Sequence, residues 1–155
     1  MKLLYALQWR IAIKITRSFT LEELTHTNTG LPNAPSAEDA ARLADLASTI
    51  LQPIRDHWGG IWVTSGYRGK AVNEKVGGSP TSQHCKGEAA DLKPLEANID
   101  SVFRWLVKES RIPYGQAILE KVGDKEWIHV SLTRKDKPNH QSLVYNGKEY
   151  RPYAG

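Results

Sequence analysis

Two short runs carry the side chains richest in chemistry. Ser82-Gln83-His84-Cys85-Lys86-Gly87-Glu88-Ala89-Ala90-Asp91 holds an imidazole and a carboxylate, and Glu126-Trp127-Ile128-His129 adds one of each. A catalytic zinc site usually takes three protein ligands and leaves a fourth position open. His84, Asp91 and His129 can supply that set for one Zn2+ ion, with Glu126 left over as a base. Zinc held this way lowers the pKa of a bound water from its bulk value towards about 7, so a nearby carboxylate can take its proton. Cys85 is the only cysteine, which excludes both a Cys-rich zinc site and an intrachain disulfide.

The spacing of the second run sets a condition. Glu126 and His129 are three residues apart, which would place them on one face of a helix. The residues around them read as a strand, where the same offset points to opposite faces. Both can reach one site if Glu126 lies just before the strand, with Gly123-Asp124-Lys125 as the turn. The chain has no H-E-x-x-H run, so the helical zincin arrangement is excluded.

The elements that must position these groups are legible from periodicity. Ile61-Trp62-Val63-Thr64 reads as a core strand, and Ser65-Gly66-Tyr67-Arg68 turns out of it. Residues 77–88 are rich in Gly, Ser and Pro, which puts His84 on or beside a loop. Ala89–Leu92, Ala117–Leu119 and Trp127–Leu132 read as strands. Ala40, Leu43, Ala44, Ala47, Ile50, Leu51 and Ile54 recur at helical spacing after a Ser36 cap, so a long helix runs to about His57. Pro53 is expected to kink it or end it early. Ile99, Val102, Phe103, Leu106 and Val107 make a second amphipathic helix. Asn146-Gly147 signals a hairpin turn. Residues 3–15 alternate with period two and read as a half-buried strand; their basic character also fits a membrane-surface segment.

The bulk properties limit the function classes. The 155 residues fit one α+β domain: a small, mainly antiparallel sheet flanked by helices, with the zinc site in a cleft over the sheet. Within it, 1–17 form an N-terminal strand extension and 133–155 a C-terminal hairpin. Net charge is +4, which favours an anionic partner. No Lys/Arg-rich block marks a nucleic-acid arm, and no nucleic-acid partner is expected. No apolar run is long enough to span a membrane. The first seven residues lack the cleavage site of a signal peptide. The expectation is synthesis in the cytoplasm and action elsewhere after release.

Three blocks in this order carry a resemblance: Ser65-Gly66-Tyr67-Arg68, Ser82-x-His84-x-x-Gly87-x-Ala89-x-Asp91, and Glu126-x-x-His129. Together, over about residues 19–132, they look like the zinc D-Ala-D-Ala carboxypeptidase and L-alanyl-D-glutamate endopeptidase family. Those enzymes cut the peptide stems of peptidoglycan, and many serve phages as endolysins. The resemblance implies zinc ligation by His84, Asp91 and His129 and a base at Glu126. It implies that Arg68 binds substrate and helps hold developing negative charge, with Ser82 and Gln116 near the substrate. A zinc peptidase acting on peptidoglycan stems is therefore expected. The alternative is a non-catalytic zinc-binding module of the cell wall or of an assembly. A basic nucleic-acid binder rests on charge alone. Which bond is cut, which wall is attacked and the oligomeric state are not written in these residues.

Overall fold

The computed structural model describes residues 12–155. The strand expected at 3–15 lies largely outside that range; Lys14 makes an isolated antiparallel bridge to Thr20. The elements run α1 (Leu21–Thr25), α2 (Ala37–Leu46), α3 (Gln52–Trp58), β1 (Ile61–Ser65), α4 (Lys70–Lys75), β2 (Ala89–Pro94), α5 (Ile99–Lys108), β3 (Gln116–Val122), β4 (Lys125–Ser131), β5 (Gln141–Tyr145) and β6 (Tyr150–Pro152). A 3₁₀ turn at Gln83–Lys86 carries His84.

Among the described residues, six strands form one sheet in the order β1-β2-β4-β3-β5-β6. All pairings are antiparallel except β3 with β5, which is parallel. The architecture is α+β, as the sequence indicates. Alternation gives the sheet two unlike faces. Val63, Ala90, Leu92, Ala117, Ile128 and Val130 are buried against the helices. Asp91, Trp127, His129, Gln116, Ile118 and Glu120 fall on the other parity and line a cleft of about 1020 Å³.

The long helix forms because Ser36 Oγ accepts from Asp39 N and because Leu43, Leu46, Ile50, Leu51 and Ile54 are fully buried along one face. Pro53 neither ends nor breaks it. The five residues before α3, Ala47–Leu51, widen into a π turn in which Gln52 N donates to Ala47 O. Pro53 then falls in the first turn of α3, where its missing N–H costs nothing. α5 starts at an Asn98 cap that accepts from Ser101 N, and it buries Ile99, Val102, Phe103 and Leu106. The Asn146-Gly147 signal does mark a hairpin. Its connection is longer than two residues, spanning 146–149, with Asn146 Oδ1 accepting from Lys148 N and Glu149 N and Gly147 at φ 91°. The short helix α4 carries no strong periodic signal, which is why the sequence does not announce it.

Candidate metal centre

The centre is built where β1, β2, β4 and the 3₁₀ turn meet. Asp91 lies opposite His129 in the β2–β4 register, so both side chains rise on the cleft face. The register of β1 slips between Val63 and Ser65, placing Ser65 opposite Asp91. Such a bulge beside a site re-aims the strand end; here it releases the chain into Gly66-Tyr67-Arg68. That turn grips the His84 segment twice. His84 Nδ1 donates to Gly66 O at 2.8 Å, and Arg68 N donates to His84 O at 3.0 Å. Ser82 caps the 3₁₀ turn by accepting from His84 N at 3.3 Å.

The three ligand atoms converge. His84 Nε2 is 3.4 Å from Asp91 Oδ1, and His129 Nδ1 is 3.1 Å from the same oxygen. Tetrahedral zinc with bonds of about 2.0–2.1 Å sets its ligand atoms roughly 3.3 Å apart. The set therefore fits zinc in both donor type and spacing. The tautomers fit too. His84 commits Nδ1–H to Gly66 O, and His129 donates Nε2–H to Gln83 Oε1 at 3.1 Å. Each ring is left with one lone pair aimed at the cluster, the arrangement that orients metal-bound histidines. Burial pushes the pKa of His84 down and keeps it neutral. Burial alone would raise the Asp91 carboxyl, but the two imidazoles outweigh it and hold Asp91 well below the usual carboxylate range. A carboxylate beside two imidazoles is a suitable donor set for a divalent cation.

Arg68 reaches the same cluster. Its guanidinium is 4.0 Å from Asp91 Oδ2 and 3.4 Å from Asn73 Oδ1, and its buried Nε has no partner among the described residues. Ser82 and Gln116 both line the cleft. Gln116 donates from Nε2 to Gln141 Oε1 at 3.0 Å. Of the remaining histidines, His57 stacks on Trp105 at 4.1 Å and His140 packs on Tyr114, away from the ligands.

Glu126 is not brought to the cluster. β4 begins at Lys125, so Glu126 is already inside the strand and the condition set by its spacing is unmet. The turn is the tighter Gly123-Asp124, with Gly123 at φ 62°. Glu126 therefore faces the helix side, opposite Lys121 in register and 3.8 Å from its ammonium, which in turn pairs with Asp100 of α5 at 2.8 Å. Two residues that the motifs did not single out do join the site. Gln83 orients His129, and Glu120 lines the cleft. The alternation of Gln116, Ile118 and Glu120 against Ala117 and Leu119 carried the signal for Glu120. Gln83 lies in a turn and had none.

Gln83→Ala is expected to weaken zinc binding about 10–100-fold, the usual cost of losing such an orienting partner. Chelator competition measures it; unchanged affinity would show that His129 orients itself.

A His-Asp-His cluster on the open face of an α+β sheet defines a candidate zinc site. Residues 17–131 match the peptidase M15 family, and the chain belongs to that family. The family is one of zinc peptidases directed at peptidoglycan, and this chain carries a His-Asp-His set that fits the metal. Comparison with curated proteins returns no match. No helix among the described residues is long and apolar enough to cross a membrane.

Proposed function

We propose that the protein is an endopeptidase of peptidoglycan stems, acting on the wall in the manner of an endolysin after it leaves the cytoplasm. The observation that carries this reading is where the cluster lies in the cleft. Cleft-lining residues come from every strand: Thr64 on β1, Asp91 on β2, His129 on β4, Ile118 on β3, Gln141 on β5 and Tyr150 on β6. Neighbouring strands are about 4.8 Å apart, so the floor runs roughly 24 Å across the sheet. Two of the three ligands stand on β2 and β4, with β1 on one side of them and β3, β5 and β6 on the other, which leaves floor for a chain that passes through. A carboxypeptidase needs only a short closed pocket beyond the scissile bond.

Zinc held by His84, Asp91 and His129 would polarise the substrate carbonyl and activate a water. Arg68, whose guanidinium lines the cleft beside Asp91, suits a stem carboxylate or the oxyanion of the tetrahedral intermediate. Ser82 and Gln116 line the approach. The positive net charge holds the protein near an anionic wall.

Mass spectrometry of purified peptidoglycan after incubation with zinc-loaded protein tests the proposal, with a chelator-treated sample alongside. Internal stem fragments from the loaded protein alone are expected, and their masses name the bond. Loss of only the terminal D-alanine would make it a carboxypeptidase. Zinc binding and wall binding without cleavage, across several wall chemotypes, would make it a binding module.

A further inference from the structure

We propose that Glu120, on the strand beside His129, is the general base of this site. The inference rests on the peptidase reading and supplies the carboxylate which that reading requires. Among the described residues lining the cleft, Asp91 and Glu120 are the only acids. Asp91 belongs to the ligand cluster, so Glu120 is the carboxylate that remains.

The register explains the position. Ile118 lies opposite His129 and Glu120 opposite Trp127, so Glu120 is the diagonal neighbour of His129 on the cleft face. Diagonal pairs across antiparallel strands are about 7–8 Å apart at the backbone, within reach of a long side chain. That distance suits a group that must stand beside a ligand and leave room for water and substrate. Glu126 cannot share this face without reversing its strand, and it is tied to the Lys121–Asp100 pair. The cleft's remaining imidazole, His26, is exposed and engaged with Asn28 Oδ1 at 3.0 Å.

The environment of Glu120 points the same way. Partial burial, then repulsion from Asp91, push its pKa above the usual glutamate value, with His129, Trp127 and Arg68 opposing. A base works best when its pKa approaches the working pH. In the reaction Glu120 takes one proton from the attacking water as the water oxygen bonds to the carbonyl carbon. It gives that proton to the leaving amine as the C–N bond breaks. One water is consumed, and Glu120 returns to its carboxylate.

The test compares wild type, E120Q, E120D and E126Q, each checked for zinc content and thermal midpoint. E120Q is nearly isosteric and is expected to keep its zinc while losing stem cleavage about 10²–10⁴-fold. E120D, which keeps the charge on a shorter arm, is expected to recover part of that loss. Full cleavage by E120Q, or loss confined to E126Q, would overturn the assignment while leaving the peptidase reading intact. A second readout does not need the wall substrate. Acetohydroxamate binding to zinc-loaded protein passes a proton to an adjacent carboxylate, so calorimetry should show at least about tenfold weaker binding to E120Q, as loss of one charge-assisted hydrogen bond implies. Equal binding to wild type and E120Q would overturn the assignment even if no stem were cut.

Discussion

Asp91→Ala is expected to abolish zinc-dependent stabilisation and cleavage together. Asp91 is the only anion in the ligand set, and its Oδ1 is the atom that both imidazoles face. Without it two imidazole nitrogens remain, too few for a structural or catalytic zinc site. A ligand a thousandfold above its Kd adds about 4 kcal/mol to the folded state. For a domain of this size that corresponds to a rise in Tm on the order of 10 °C. Wild type should therefore lose roughly that much on chelation, and Asp91→Ala should melt at one temperature with or without zinc. A zinc-dependent shift of wild-type size in the variant would remove Asp91 from the ligand set.

The second large effect is expected from a position with no chemistry of its own. A Cβ on Gly66 would lie 2.2 Å from the carbonyl oxygen of Leu24, a backbone atom with little room to yield. That same carbonyl accepts from Tyr67 N at 2.7 Å, and the carbonyl of Gly66 accepts from His84 Nδ1. Gly66→Ala must therefore push α1 and β1 apart or move the peptide that orients a ligand. Overpacking of this kind costs about 3 kcal/mol at its upper end. A drop in Tm of roughly 6–12 °C follows. Zinc affinity should fall as well, by about 10–100-fold, because His84 loses its orienting acceptor. Urea unfolding and chelator competition measure the two effects. A variant that matches wild type in both would mean that the Leu24 backbone can shift freely.

Gly66 also shows what could and could not be read in advance. The Ser65-Gly66-Tyr67-Arg68 block marked the place, but the need for glycine comes from α1, which is distant in sequence. The same division runs through the site. Strands around Asp91 and His129 announce themselves by apolar alternation, and so does the helix at Ile99–Lys108. Which side of a strand a residue occupies depends on where that strand begins, and one residue decides it. With β4 starting at Lys125, Glu126 faces the helices. Gln83 escaped notice because a turn has no period, and its value arises only when His129 folds back onto it. The parallel pairing of β5 with β3 is likewise a long-range event, with no local trace in Gln141–Tyr145.

That parallel pairing separates two tasks along the chain. His84, Asp91 and His129 all fall within the family-matched residues 17–131, whereas Gln141, Tyr145 and Tyr150 of the far cleft wall come after it. The wall is fastened to the sheet by main-chain bonds through β5, which tolerate many side chains. The side chains of that wall can therefore change without loosening the strands that present them or moving the reaction centre.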